Sequence, residues 1–110
     1  MNEPEFRIKA DQALEQLERA LLPLADEHGV ELDMQNGVLQ VVFEEPAPTK
    51  FVVSQNGPVR QIWVSAIARS YKLPWAEDLN AFALEGESLD ALLVRLVKLY
   101  LSTNPETHMT

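Results

Sequence analysis

The chain of 110 residues contains no cysteine, which excludes disulfide bonds, thiolate metal sites and a cysteine nucleophile. It also has no apolar run long enough to cross a bilayer and no basic-then-apolar leader. The chain has only nine Lys and Arg residues but 17 Asp and Glu residues, which gives a net charge of −8. Because phosphate contacts need cations, this deficit argues against a nucleic-acid-binding protein. We therefore expect a single cytoplasmic domain over residues 1–110, with neither a nucleic acid nor a membrane as its partner.

Sequence motifs for catalysis are also missing. The chain has two histidines, and we expect His28 at a helix end and His108 in the tail, so no nucleophile with an adjacent base can be assembled. The sequence contains neither a phosphate-binding glycine loop nor an HExxH-type metal motif. A carboxylate pair such as Glu77-Asp78 is typical of a solvated turn. The sequence therefore predicts a protein that is not an enzyme.

Two segments have the apolar periodicity of amphipathic helices. The first begins near Pro4 and ends no later than Gly29, with a kink or an early end expected at Pro23. The second runs from Leu89 to about Leu101. The predicted core-facing residues are Phe6, Ala10, Ala13, Leu14, Leu17, Leu21 and Leu24 in the first helix and Leu89, Leu92, Leu93, Leu96, Val97 and Tyr100 in the second.

Short alternating runs of apolar and polar residues between the helices predict about six antiparallel strands. The strongest hairpin signal is Asn36-Gly37. Both helices need a surface for their apolar stripes, and one face of the sheet supplies it while the other stays in water. The predicted fold is an α+β two-layer sandwich, and the tail from Thr103 is expected to be disordered. The predicted strands are 31–35, 38–44, 51–54, 59–66, 70–73 and 80–84.

The strand over 59–66 contains the chain's most informative aromatic residue. Alternation turns Ile62 and Val64 toward the core and Gln61 and Trp63 toward the open face of the sheet, where Gln40 is also expected. An exposed Trp on a rigid strand is a common anchor for a protein partner. The alternative is that Trp63 packs beneath a loop, since Trp is usually largely buried.

Acidic residues are concentrated in the first third of the chain. Residues 1–33 contain nine Asp or Glu and three Lys or Arg. Asp11, Glu15 and Glu18 follow at i, i+4 and i+7, about opposite the apolar stripe of the first helix. Such a face suits a basic protein surface or a hard cation. The alternative is a solvated helix surface without a specific role.

Several segments resemble one known family. They are Gln61-Ile62-Trp63-Val64-Ser65 after a Pro-containing turn, Asn36-Gly37-Val38-Leu39 leading to Phe43-Glu44, Tyr71 eight residues past the Trp, and Glu5-Phe6 with Ala10-Asp11-Gln12. Over residues 3–100 the chain resembles the frataxin family, in particular its bacterial CyaY-type members. The resemblance implies the same α+β sandwich and an accessory role in iron–sulfur cluster assembly. It also implies cysteine desulfurase and the cluster scaffold as partners, and a monomer, with iron-dependent oligomers as an alternative.

The resemblance also implies residue roles. An acidic ridge on the first helix and first strand would bind iron weakly, as Fe2+ or Fe3+. Arg7 and Arg19 occupy positions where the family often carries His or an acid, so the ridge is thinner than usual. Phe82 replaces a second Trp of the family in the carboxy-terminal strand. The implied metal ligands are Glu3, Asp11, Glu15, Glu18, Glu27, Glu31 and Asp33, and the implied partner-binding residues are Gln61, Trp63, Gln40, Asp11, Glu15 and Glu18.

A second class of function is compatible with the same sequence. A small acidic interaction module, for example a chaperone for secreted effectors, can also be an α+β protein with no role in iron. Such a chaperone needs a dimer interface and apolar grooves, whereas a frataxin needs an indole on an exposed sheet face. The position of Trp63 therefore discriminates between the two.

Overall fold

The computed structural model describes residues 1–103. His108 and the predicted disorder of the tail beyond Thr103 lie outside the described residues. Residues 1–103 fold into two helices and eight strands. In chain order these are α1 (Glu3–His28), β1 (Glu31–Gln35), β2 (Val38–Phe43), β3 (Thr49–Asn56), β4 (Gln61–Ala66), β5 (Arg69–Leu73), β6 (Trp75–Ala76), β7 (Ala81–Leu84), β8 (Glu87–Ser88) and α2 (Leu89–Ser102).

Helix α1 has clear start and stop signals. The Asn2 side chain accepts a hydrogen bond from the backbone N–H of Glu5 at 2.8 Å, and Gly29 closes the helix with φ 68°. Pro23 lies inside the helix, so the early end that its missing N–H suggested does not occur. Buried Leu21 and Ala25 on either side of Pro23 hold both parts of the helix on the core. Within residues 1–103, neither helix combines the length and the apolar character that a membrane span needs.

The predicted packing of two helices against an antiparallel sheet is confirmed, with one difference in the sheet. Five strands form the main sheet in the order β1-β2-β3-β4-β5, and β6, β7 and β8 form a separate small sheet. The sixth predicted strand, found as Ala81–Leu84, belongs to the small one. Pro74 follows β5 directly and has no N–H for a sheet ladder, so the chain turns away there. Its carbonyl instead accepts the backbone N–H of Ala83 at 3.0 Å, which joins the two sheets.

The strand that contains Trp63 starts two residues later than predicted, at Gln61. Arg60 has φ 54°, and its backbone N–H donates to the carbonyl of Gly57 at 3.1 Å. These two features continue the turn through residue 60, because a positive φ does not fit an extended strand.

One apolar core lies between the helices and the main sheet. Phe6 of α1 packs edge-on against Phe82 of β7, with ring centroids 5.6 Å apart. Tyr100 of α2 packs against Phe43 of β2 at 4.8 Å, and its hydroxyl donates to the carbonyl of Ala47 at 2.6 Å. The buried faces of both helices match the predicted stripes, with Ala13, Leu24 and Tyr100 only partly buried. Within the described residues, no helix covers the other face of the main sheet.

Candidate functional site

Residues on the open sheet face are aligned by the strand register. One row crosses all five strands, from Gln35 through Val38, Ser54 and Trp63 to Lys72. Adjacent strands are about 4.8 Å apart, so Trp63 lies about 14 Å from the β1 edge. The row is polar at both ends, and the indole is its largest apolar group.

Trp63 is exposed on this face, with 36% of its surface accessible. Its indole Nε1 donates a hydrogen bond to the Gln61 side-chain oxygen at 2.9 Å. The Nζ of Lys72 lies 4.9 Å from the indole centroid. A cation over the ring is attracted by the electrons of its face. The indole is thus both accessible and held in one orientation, beside a hollow of about 180 Å³ that Val52 and Ser70 help to line.

Gln40 lies in the neighbouring row of the same face. It is half-buried and pairs across the strands with Asp33 on one side and Val52 on the other. Because β2 and β4 are separated by one strand, Gln40 lies about 10 Å from the strand of Trp63. The open face therefore carries three of the predicted partner-binding residues, Gln40, Gln61 and Trp63. Gln61 contacts the indole, whereas Gln40 lies in the row of Ser65, on the other side of Trp63.

The other three predicted partner-binding residues lie on α1. Asp11 and Glu15 are exposed, and Glu18 is half-buried. A carboxylate oxygen of Asp11 accepts a hydrogen bond from the Gln55 side-chain amide at 2.6 Å. Gln55 belongs to β3, so Asp11 lies at the border between the helix and the sheet.

The seven predicted metal ligands do not converge on one point. Glu3 and Glu27 are about 36 Å apart along α1 at 1.5 Å per residue. Glu31 and Asp33 lie on β1, at the edge of the main sheet. Residues 1–103 contain no cluster of three or more His, Asp or Glu side chains arranged to hold a metal ion. Spread carboxylates of this kind attract hard cations mainly through local charge.

Two arginines interrupt the acidic face of α1. Arg7 lies one turn from both Glu3 and Asp11, and Arg19 lies next to Glu18 and one turn from Glu15. Both guanidinium groups would repel a bound cation. Among residues 1–103 neither forms an ion pair with a carboxylate, so their charge is not neutralised locally. The roles of the predicted metal ligands stay predictions.

Sequence reasoning missed the contact between Lys72 and Trp63. The contact depends on the β4–β5 register, in which these residues are directly opposite. The turn between the strands is Ile67-Ala68, with φ 50° and 59°. Asn or Gly normally occupies such positions, so the sequence predicts both strands but not the register that places Lys72 opposite Trp63. Alternation along β5 is the signal that could have found it. Leu73 is buried, so its neighbour Lys72 lies on the opposite face of the strand, which is the open face of the sheet.

Comparison with known proteins identifies relatives for almost the whole described chain. A family model for the frataxin-like domain matches residues 1–103. The iron-sulfur cluster assembly protein CyaY of Pseudomonas aeruginosa is 33% identical over 99 residues, covering 86% of this chain and 86% of the relative. The CyaY protein of Pseudomonas fluorescens is 29% identical over 102 residues, covering 89% and 87%.

A solved structure shares the fold. The frataxin from Psychromonas ingrahamii matches with a TM-score of 0.61 at 20% identity, covering 91% of this chain and 90% of that chain. At this level of identity the match shows the architecture alone. It agrees with the arrangement of two helices on one side of the main sheet.

Proposed function

The chain belongs to the frataxin family, and from that premise we propose that it is a non-catalytic accessory protein of iron–sulfur cluster assembly. Its Pseudomonas relatives are named for this process. The proposed partners are a cysteine desulfurase and the cluster scaffold protein, in the cytoplasm. The protein binds the desulfurase and regulates it as a monomer. The alternative is a protein that forms oligomers when it binds iron.

The observation that supports this proposal most directly is Trp63 on the open sheet face. A large apolar side chain held by Gln61 and Lys72 loses little conformational freedom when a partner covers it. Trp is also enriched among the residues that dominate binding energy at interfaces. The indole would therefore be the short-range anchor, with Gln61 and Gln40 supplying polar contacts around it.

The acidic face of α1 would act at longer range. Asp11, Glu15 and Glu18 would steer the protein toward a basic region of the desulfurase, because complementary charge raises the rate of encounter. The hydrogen bond from Gln55 to Asp11 connects this face to β3. The next residue of β3, Asn56, pairs with Gln61. The acidic helix and the strand of the indole could thus contact one partner at the same time.

Iron would be a weakly held cargo of the acidic ridge. The carboxylates of Glu3, Asp11, Glu15, Glu18, Glu27, Glu31 and Asp33 are hard oxygen ligands, suitable for Fe2+ or Fe3+ but without a preformed cage. Arg7 and Arg19 lower the affinity further by repulsion. Several weak sites are therefore expected rather than one strong site.

The alternative is an interaction module or effector chaperone with no role in iron. The open face mixes Gln, Ser and Lys side chains with Val38, Val42 and Val52 around a single indole and does not form a continuous apolar groove. This composition supports the desulfurase-binding role over a chaperone that must cover long apolar segments.

Affinity capture tests the proposal. The immobilised protein should retain purified cysteine desulfurase and, through it, the scaffold. Trp63→Ala should lose the desulfurase, and Leu99→Ala should not, because Leu99 is an exposed apolar residue on α2 in the helix layer. Equal retention by both variants, or no retention by the unmodified protein, would reject the proposal.

A further inference from the structure

A second concave site lies on the helix side of the molecule, away from the open sheet face. A cavity of about 410 Å³ opens between α1, the segment 75–82 and the start of α2. This volume is within the range of about 300–1,000 Å³ that is typical of small-molecule sites. Neither the acidic ridge nor the Trp63 surface uses it.

One side of this cavity is aromatic and fixed. The ring of Trp75 packs edge-on against Phe82, with centroids 5.1 Å apart, and Phe82 packs against Phe6 in the core. Trp75 remains half-exposed toward the cavity, and Leu79 extends the apolar lining. The apolar part of a ligand could therefore rest on a surface that needs no rearrangement.

Two opposite charges line the same cavity without neutralising each other. Lys9 of α1 is half-buried, and its Nζ lies 5.3 Å from the centroid of Trp75. Asp90 of α2 is also half-buried, and burial raises the pKa of its carboxyl above the ordinary value. Within residues 1–103 neither group has a side-chain hydrogen bond or an ion pair. A partly desolvated charge that lacks an ion pair or a hydrogen bond is costly, and for Lys9 the contact with the Trp75 ring offsets only part of this cost.

The remaining polar side chains of the cavity are three uncharged amides and the Ser88 hydroxyl, which already accepts the backbone N–H of Ala91. Gln12 and Gln16 lie on the same face of α1 as Lys9, at i+3 and i+7, and Asn80 contributes from the opposite segment. Among the described residues, none of these three side chains makes a hydrogen bond to another residue. The cavity therefore presents one cation, one anion and several free amides beside an aromatic surface.

We propose that this cavity binds a free α-amino acid with an apolar side chain. The carboxylate of the ligand would pair with Lys9, its ammonium group with Asp90, and its side chain would contact Trp75 and Leu79. A ligand with only one charge would leave the other residue unpaired, and an apolar ligand would leave both. Charge-assisted hydrogen bonds at both ends would offset the desolvation of the two residues. The inference does not depend on the proposed role in cluster assembly.

Titration with L-methionine tests this inference. The chain has two tryptophans, so Trp63→Phe leaves Trp75 as the only indole and makes its fluorescence a reporter of the cavity. The thioether of methionine also contacts aromatic rings favourably. We expect a saturable change in fluorescence, with amide shifts centred on residues 9–16 and 75–90.

Two analogues and two pairs of variants identify the contacts. L-methioninamide lacks the carboxylate and N-acetyl-L-methionine lacks the ammonium group, so each should bind roughly tenfold or more weakly. Lys9→Met and Asp90→Asn should weaken methionine binding by a similar factor. Lys50→Met and Asp26→Asn, which remove the same charges from exposed positions outside the cavity, should not.

Three results would overturn the inference. They are the absence of a saturable response to methionine, binding of either analogue as tightly as methionine, and amide shifts centred on the acidic helix face or the open sheet face. The analogue comparison uses the unaltered cavity, so it decides the question even if a cavity variant fails to fold.

Discussion

The indole N–H of Trp63 donates to the side-chain oxygen of Gln61 at 2.9 Å, between two residues that share the open face of β4. Side chains two positions apart on a strand point the same way, so the contact orients the indole without bending the backbone. Lys72 on β5 holds the same ring from the neighbouring strand. The proposed anchor is therefore already in position before a partner arrives.

Gln61→Ala should weaken desulfurase binding without unfolding the protein. Loss of the acceptor frees the indole, so the partner must order it on binding, at a cost of roughly 0.5–1.5 kcal/mol. Equilibrium binding and thermal unfolding measure the two effects. Gln35→Ala, which removes an exposed amide at the β1 edge, is the matched control. If both variants bound equally well, the orientation of the indole by Gln61 would not contribute to binding.

Charge reversal of Asp11, Glu15 and Glu18 to Lys should slow association with the desulfurase and weaken its dependence on salt. Complementary charges act mainly on the rate of encounter, and salt screens them beyond about 10 Å at 0.1 M. Stopped-flow or biosensor kinetics at several ionic strengths measure the effect.

Reversal of Glu77, Asp78 and Glu85 to Lys supplies the control, because it changes the net charge by the same amount at other exposed positions. An equal slowing of association by the two triple variants would show that only net charge matters. The assignment of steering to α1 would then be wrong.

Binding of divalent or ferric iron should be weak and should perturb residues 3–33 first. Carboxylates dispersed along α1 and β1 attract hard cations without enclosing them. Titration with a paramagnetic ion, followed through backbone amides, measures the location. Glu15→Gln with Glu18→Gln should reduce the perturbation, whereas Glu77→Gln with Asp78→Asn should not. Perturbations centred on residues 77–78 would contradict the ridge.

The ion pair between Glu87 and Arg95 should make stability depend on pH. Two hydrogen bonds of 2.8 Å join the groups, and the hydrogen bond from Arg95 holds the pKa of Glu87 below the ordinary value of 4.5. Stabilisation is therefore complete above pH 4.5 and disappears as the pH falls through the lowered pKa of the folded state. Both side chains are partly exposed to solvent, so the effect is modest.

Thermal unfolding of Glu87→Gln at several pH values checks this dependence. The variant should melt below the unmodified protein at neutral pH, and the difference should vanish in acid. Glu85→Gln, at a neighbouring position without a side-chain ion pair among residues 1–103, should show no such change. A constant difference across the pH range would contradict the role of the ion pair.

Much of the fold could be predicted because its signals are local. Apolar spacing identified both helices, and Gly29 ends α1 as predicted because only a residue that tolerates a left-handed backbone fits there. The hairpin at Asn36-Gly37 was also predicted, and both residues have positive φ. Alternation in β4 placed Trp63 on the open face. These patterns depend on residues close together in the sequence.

The rest could not be predicted because it depends on distant contacts. Gln55 and Asp11 are 44 positions apart and meet only when β3 packs beside α1. The cavity beside Lys9 and Asp90 needs three elements in place. The separation of the small sheet has a local origin in Pro74, but the hydrogen bond from Ala83 to the Pro74 carbonyl, which joins the two sheets, forms only in the folded chain.

The most direct test of the account is the binding kinetics of Trp63→Ala with the purified cysteine desulfurase, measured beside Leu99→Ala and with thermal unfolding of both variants. We expect Trp63→Ala to dissociate faster, with a loss of roughly 2 kcal/mol or more in binding free energy, and to associate at nearly the unmodified rate. Its melting temperature should change little, because the indole lies on the open sheet face outside the core. Unchanged desulfurase binding by Trp63→Ala, or unfolding of that variant, would contradict the account.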